Sequence, residues 1–467
     1  MLYQVLLILV PVVTTPYVSR VLSPSNIGEY NYVNSIVTFI ALCCNLGSSV
    51  YAQREIAYHQ TDLYKRSSIF WEILSFRILM CILITPVYFS IAYSSSNFKI
   101  TFFIQYLFII NDVIDISWYY QGLENFRITA IRGGLVKIIS AICIFLFVKN
   151  SKDFYLYVMI LSMSMPLSTL YLWKYLHNNI KFVNFKDIHP FRHIKMILVL
   201  FLPIAAINIY TTLDKVFLGF LTSPREVGYY SQTERIVKLA MTVVTSLGTV
   251  MLPTVAKLIN ENNYNAVRDI VKKSIKFVLY LSLPMMFGLV VCAPKFIPWF
   301  LGIKYFDAIP MLQLFAPLII IISLSSVTGQ AVLLPLKKER IYTISIFIGG
   351  FSNIVLNSIL IPVISSYGAI ISTIIAELIV GSIQQVTVLR CLNLRIRDII
   401  IDNYKCLISS ISMGIVIILL TKYIGDGFMG LITLIIVGVI IYIISLLFLK
   451  DKILLTFINN FIKKINH

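Results

Sequence analysis

The chain is written as a series of apolar runs of about 18 to 28 residues, parted by short polar joints. As a helix rising 1.5 Å per residue, such a run crosses the roughly 30 Å hydrocarbon core of a bilayer. Strands of a membrane barrel need only about ten residues each and alternate in polarity, which these runs do not. Composition agrees: 58% of the 467 residues are hydrophobic and 13% charged, against about 25% charged in a soluble domain. The sequence therefore predicts an all-α, polytopic membrane protein.

Fourteen spans are expected, at roughly 2–22, 29–51, 68–93, 99–120, 128–148, 154–173, 196–221, 229–256, 275–294, 308–333, 341–362, 367–389, 405–424 and 427–449. The weakest boundaries are the stretch around Pro294, Pro298 and Pro310, and the final pair, split only by Gly425-Asp426-Gly427. Every second joint is basic. With the C-terminus, that set holds 26 Lys and Arg, including Arg54, Arg132, Arg192, Lys276, Arg390 and Arg395, against eight in the opposite set. The positive-inside rule places the basic side, and with it both termini, in the cytoplasm. The net charge of +18 is mostly this asymmetry, so it does not point to a nucleic acid partner.

An internal repeat is visible. Ser23-Pro24-Ser25-Asn26-Ile27-Gly28-Glu29-Tyr30 recurs as Ser223-Pro224-Arg225-Glu226-Val227-Gly228-Tyr229-Tyr230, and Leu46-Gly47 recurs as Leu247-Gly248. Both copies fall on the same side, so the repeats are parallel, related by an axis along the membrane normal. The expected organisation is two six-helix lobes, 1–180 and 194–391, two further helices at 405–449, and a basic tail at 450–467.

Several chemistries are absent from the sequence. No joint exceeds about 25 residues and no GxxxxGK[ST] loop occurs, so neither a nucleotide site nor a soluble catalytic domain is expected. No HExxH motif or CxxC pair is present, and the five histidines lie in joints or at the C-terminus. No metal, cofactor or enzymatic activity is therefore expected.

Ionisable groups inside spans cost at least about 2.5 kcal/mol each and tend to face a bundle interior or a wet cavity. The bases left inside spans are Arg77, Lys137, Lys215, Arg235 and Lys238; the acids counted there are Asp112, Asp115, Asp214, Glu234 and Glu377. The basic set comes from both repeats and suits a cavity for an anion. Each base also has a structural alternative as a partner in an internal ion pair, as does Glu234 with Lys238 four residues on. Asp115, near Trp118 and the Gln121-Gly122 turn, can equally anchor a helix end. Asn208, Tyr210, Asn353, Asn357, Gln384 and Gln385 are candidates for contacting hydroxyls, or polar residues of helix packing.

Certain of these motifs, in order, resemble the Wzx-type polysaccharide flippases of the MOP superfamily. They are Pro16-Tyr17-Val18-Ser19-Arg20-Val21-Leu22 leading to Ile27-Gly28-Glu29-Tyr30; Leu46-Gly47 with Tyr51 and Arg54-Glu55-Ile56-Ala57; Asp115, Trp118, Gln121-Gly122-Leu123-Glu124 and Phe126; Phe147-Val148-Lys149 with Asp153; and Asp214, Gly219, Val227-Gly228-Tyr229-Tyr230 and Pro253. The resemblance covers about the first 260 residues. It implies two lobes around a central cavity, alternating access, and movement of an undecaprenyl-diphosphate-linked oligosaccharide to the outer leaflet of the bacterial inner membrane. It also implies coupling to an ion gradient, for which Asp214 and Glu377 are the candidate acids, and membrane lipids, a polysaccharide polymerase and chain-length proteins as partners. Relatives carry a short basic segment before the first span that is missing here, so the start is expected to be truncated or set late. The competing readings are a lipid II flippase or drug exporter of the same superfamily and, from another class, a membrane polymerase or glycosyltransferase.

Overall fold

The computed structural model describes residues 2–176, 179–451 and 455. All regular structure among them is helical. The helices are α1 (Leu2–Val21), α2 (Pro24–Asn45), α3 (Ser48–Tyr58), α4 (Leu63–Ser94), α5 (Lys99–Ile114), α6 (Ser117–Gly122), α7 (Phe126–Phe147), α8 (Phe154–Lys174) and α9 (Ile194–Leu221). They continue as α10 (Pro224–Asn260), α11 (Tyr264–Phe300), α12 (Ile309–Phe315), α13 (Leu318–Ser325), α14 (Glu339–Cys391), α15 (Ile396–Leu420) and α16 (Phe428–Phe448), with a π-helical segment, Ser326–Leu333, after α13. Nine described helices are long and apolar enough to cross a membrane, and eleven crossings result if each of two bent pairs is one span.

The bent pairs show how the sequence breaks a span. α2 and α3 meet at 40° because Leu46 and Gly47 both take left-handed backbone, with φ of 47° and 68°. Glycine carries that conformation without a Cβ clash. The matching Leu247-Gly248 does not break its helix, since α10 runs through it unbroken; the repeated dipeptide has two structural outcomes. The expected span 308–333 is likewise broken, bending by 44° between Ile303–Phe315 and Leu318–Leu333.

α14 has 53 residues, about 80 Å if straight and far more than a bilayer core. It reverses at Ile364 and Ser365, whose backbone is not helical. A Cβ placed on Gly368 would lie 2.6 Å from the backbone of Leu360, whereas residues eight apart on a straight helix are about 12 Å apart. Two antiparallel legs result, as the expected spans 341–362 and 367–389 require.

The prolines around position 294 do not end a helix. α11 continues through Pro284, Pro294 and Pro298 to Phe300. The basic joint expected before span 275–294 is also mostly helix: α10 ends at Asn260, and Asn263 caps α11 by accepting from the Ala266 N–H at 3.1 Å. The charges read as a loop are helical stubs outside the apolar core.

The chain divides into two compact units, Met1–Gly228 and Tyr229–His467. In the first, α2 packs on α4, α5 and α9, and α8 on α5 and α7. One end is filled by an aromatic cluster in which Phe70 sits edge-on to Trp71, Tyr119 and Trp173. The indole N–H of Trp173 donates to the Ile114 carbonyl at 2.9 Å, and the Tyr120 hydroxyl to that of Leu172 at 2.7 Å. Ring bodies in apolar packing with polar tips on backbone oxygens suit a membrane boundary. The two repeated turns also meet within this unit. A Cβ on Gly28 would overlap the Pro224 carbonyl, and one on Gly228 would overlap that of Pro24. The first turns of α2 and α10 thus cross at equivalent glycines, an approach that no larger residue allows.

In the second unit, α11 packs on α12, α13, α15 and α16. Two lysines of α11 pin the α15–α16 pair. Lys276 lies 3.1 Å from the buried carboxylate of Asp451, and Lys295 lies 3.1 Å from Asp426 while donating to the Ile424 carbonyl. Between the pins, Tyr442 donates to the Tyr280 carbonyl at 2.8 Å.

Candidate functional site

The polar groups of the first unit gather where α5 breaks. Asp115 ends α5 with extended backbone, and its carboxylate accepts from the Ser117 N–H at 3.1 Å and the Ser117 hydroxyl at 2.6 Å, starting α6. An aspartate bonding two residues ahead stabilises such a turn against helix continuation. The break leaves the Asp115 carbonyl open, and Arg77 fills it with an Nη1 bond of 3.0 Å. Arg77 is 1% exposed. Its Nε and Nη2 donate to the hydroxyls of Ser48 and Ser49, each at 2.8 Å, and its guanidinium lies 5.4 Å from the centre of the Trp118 ring. Arg77 of α4 thus ties the start of α3 to the break between α5 and α6.

A second arginine completes the group. The sequence placed Arg132 in a polar joint. It stands instead on α7, pairs with Asp115 at 2.7 Å, and donates to Ser168 and Thr169 of α8 at 3.0 and 2.8 Å. Thr169 in turn donates to Asn111 at 2.7 Å. Six helices, α3 to α8, converge here on two guanidinium groups and the Asp115 carboxylate. A planar guanidinium presents five donors in a fixed fork, against three on the ammonium of a lysine.

The other expected site residues are spread more widely. Lys137 is half-buried on α7; on α9, Asp214 is buried at 4% exposure and Lys215 half-buried. On α10, Arg235 is exposed, and Lys238 pairs with Glu234 at 2.6 Å. Glu377 is half-buried on the second leg of α14. Asn353 and Asn357 are fully buried and joined by a 3.0 Å bond, and Gln384 donates to Ser345 at 3.0 Å. These three pack within the unit, as polar helix-packing residues do. Gln385 is half-buried, as is Asn208, whose carbonyl accepts from Thr212 at 2.6 Å. The Tyr210 side chain lies outside the described residues, as do Lys452, Lys463 and Lys464 of the expected basic tail.

Sequence reasoning passed over two acids. Glu72 of α4, 1% exposed, lies 2.7 Å from His193. Glu29 of α2 accepts a bond from the Thr101 hydroxyl of α5. Both stand inside apolar runs, and counting them there was the signal available. The second unit also holds an apolar crevice of about 720 Å³, walled by α10, α11, α15 and α16 and lined by residues such as Phe277, Met285, Phe296, Ile417, Ile435 and Val439.

Long apolar helices, broken spans, and ionisable groups held within them are the features of a multi-pass membrane protein. Residues 1–259 match the profile of the polysaccharide biosynthesis protein family, and residues 200–363 match that of the MatE family. The chain belongs to the polysaccharide biosynthesis protein family and, with it, to the MOP superfamily of transporters.

Among curated proteins, the chain is 23% identical over 390 residues to "Putative O-antigen transporter" of Shigella dysenteriae, covering 80% of this chain and 94% of the relative. The protein of the same name from Escherichia coli strain K12 is 23% identical over 384 residues, covering 80% and 92%. The lipid II flippase MurJ of Bacillus subtilis is 25% identical over 157 residues, 32% of this chain. Among solved structures, lipid II flippase MurJ in an inward closed conformation has a TM-score of 0.74 at 17% identity, over 97% of this chain and 99% of that one. An inward-facing multidrug resistance MATE transporter of the MOP superfamily has a TM-score of 0.65 at 14% identity, over 82% and 94%. These structures share the chain's fold.

Proposed function

We propose that the chain is a flippase that moves an undecaprenyl-diphosphate-linked oligosaccharide, an O-antigen or capsule repeat unit, from the cytoplasmic to the outer leaflet of the bacterial inner membrane by alternating access. The observation that carries this reading is the match to two proteins named as O-antigen transporters over more than nine-tenths of their length.

The chemistry of the substrate fits. A diphosphate needs cations in a restricted, low-dielectric space, where their attraction exceeds that in water. Lys137, Lys215, Arg235 and Lys238 supply them in this reading, with Arg77 holding the surrounding helices. Exposure of Arg235 and Lys238 leaves both able to meet a ligand. The apolar crevice offers a polyprenyl chain a surface with few polar groups to desolvate. Asp214 and Glu377 are the proposed coupling acids, since a nearby anion shifts the protonation balance of a carboxyl. The reading includes fourteen spans, both termini in the cytoplasm, lobes at 1–180 and 194–391, the helical pair at 405–449 and the basic tail at 450–467.

The test is deletion in the native host, followed by complementation. The wild-type gene is expected to restore surface polysaccharide, and vesicles are expected to expose the labelled lipid-linked unit on the outer leaflet. A strain that keeps its surface polysaccharide after deletion, with no second flippase, would sink the reading. Lipid II as the substrate is the second reading, favoured by the Bacillus subtilis relative. Rescue of a strain depleted of its lipid II flippase would select it.

A further inference from the structure

We infer that the turn between α14 and α15 is a binding site for the phosphate headgroup of an anionic phospholipid, held by Arg390 and Arg395. A cavity of about 440 Å³ opens there, lined by Val386, Leu389, Arg390, Asn393, Leu394 and Arg395. The turn is built rather than loose. Leu392 N–H donates to the Val388 carbonyl and Leu394 N–H to that of Leu389, each at 2.9 Å, while Asn393 takes left-handed backbone at φ 48°. This is a helix C-cap of the Schellman type. Arg268 of α11 donates to the Leu392 carbonyl from outside. One arginine is thus spent on fixing the turn, and two are left on the wall of the cavity.

Arg390 and Arg395 are both exposed. Among the described residues no carboxylate pairs with either; the side chain of Asp398, the nearest acid in the sequence, lies outside that set. Arg395 is the extended residue that opens α15, so the positive end of that helix adds to the same side.

Depth decides for a lipid over a soluble anion. The second leg of α14 starts at the reversal of Ser365. Arg390 comes 25 residues later, about 37 Å along the helix, past a core of roughly 30 Å and into the headgroup layer. Val386 lies one turn deeper, about 6 Å, and is 40% exposed. The cavity therefore offers guanidinium groups at phosphate depth and an apolar wall at the depth of the first acyl carbons. A phospholipid has its phosphate and chains in that order. Basic pockets beside membrane helices hold anionic headgroups in the same way.

The test uses the full-length protein purified in detergent and counts bound lipid by native mass spectrometry. Wild type is expected to retain phosphatidylglycerol over phosphatidylcholine by about thirtyfold, from two arginines at the surface. The double variant Arg390→Gln/Arg395→Gln is expected to lose that preference with an unchanged melting temperature. Lys422→Gln, on the opposite face, is expected to keep it. Retention of the full preference by the double variant would overturn the proposal. So would complete displacement of the lipid by inorganic phosphate, which would make the cavity a site for a soluble anion. The readout requires no transport, so its failure leaves the flippase reading standing, and failure of that reading leaves this site standing.

Discussion

The Glu72 carboxylate lies 2.7 Å from Nε2 of His193, and the Tyr51 hydroxyl lies 2.7 Å from Nδ1 of the same ring. Arg192 approaches the carboxylate at 3.9 Å, and the His189 N–H donates to it at 3.4 Å. The segment joining the two sequence repeats is therefore clasped to α3 and α4. With Nε2 donating to the carboxylate, Nδ1 accepts from tyrosine, which satisfies both ring nitrogens in the neutral form. Removing one partner of a buried pair strands the other. Glu72→Ala leaves the imidazole N–H without its acceptor and is expected to cost about 2 kcal/mol, and Glu72→Gln less. Thermal unfolding of the purified protein checks this; unchanged melting in both variants would dismiss the clasp.

Arg77 is expected to be intolerant of replacement by either alanine or lysine. Its three hydrogen bonds point in different directions, and an ammonium reaches only part of them. Arg77→Ala is expected to cost about 4 kcal/mol, from several charge-assisted bonds. Arg77→Lys should recover less than half. Folded protein and surface polysaccharide should fall together. Loss of transport at an unchanged melting temperature would assign Arg77 to the substrate instead.

Arg235 should behave in the opposite way. It is exposed, and no acid among the described residues pairs with it. Arg235→Ala is expected to alter stability by no more than about 0.5 kcal/mol while reducing surface polysaccharide, and Arg235→Lys to retain most of it. Full complementation by the alanine variant would remove Arg235 from the translocation path.

Gly28 and Gly228 should show coupled costs. Either alanine variant forces the two turns apart, at about 1–3 kcal/mol for overpacking. Once they are apart, the second methyl meets space already made. The double variant Gly28→Ala/Gly228→Ala is expected to cost less than the sum of the singles, by about 1 kcal/mol. Additive costs in a double-mutant melt would mean that the turns do not share one contact.

Much of this fold can be read from the sequence because a bilayer allows few solutions. Long apolar runs become helices, since every backbone polar group must be satisfied within the segment. The repeated Ser-Pro…Gly turn announced a duplication, and its glycines do meet. The breaks were harder to see. Leu46-Gly47 interrupts a span and Leu247-Gly248 does not, because neighbouring packing decides whether a permissive residue uses its freedom. Pro294 and Pro298 stay inside α11, since a proline costs only local bonds that neighbours can replace. Of the charge cluster, Arg77 and Asp115 could be found from their depth in apolar runs. Arg132 was hidden by its place beside a joint, and Glu72 by a partner 121 residues away, a separation that no local pattern encodes.

The two lysines that pin α15 and α16 stand 19 positions apart on α11, about 28 Å at the helical rise per residue. Asp426 at one end is exposed and Asp451 at the other closes the end of α16, so the separation of the two pairs acts as a ruler for the bilayer. A membrane with a hydrocarbon core near that thickness leaves both ion pairs at its edges. A thicker one draws a pair into hydrocarbon or thins the lipid around the helix, at a fraction of a kcal/mol for each ångström of mismatch. In bilayers of graded acyl length, melting temperature should therefore peak at the chain length whose core matches the ruler. Lys276→Ala should flatten that peak. Membrane thickness thus becomes a control on a chain whose sequence carries no GxxxxGK[ST] loop.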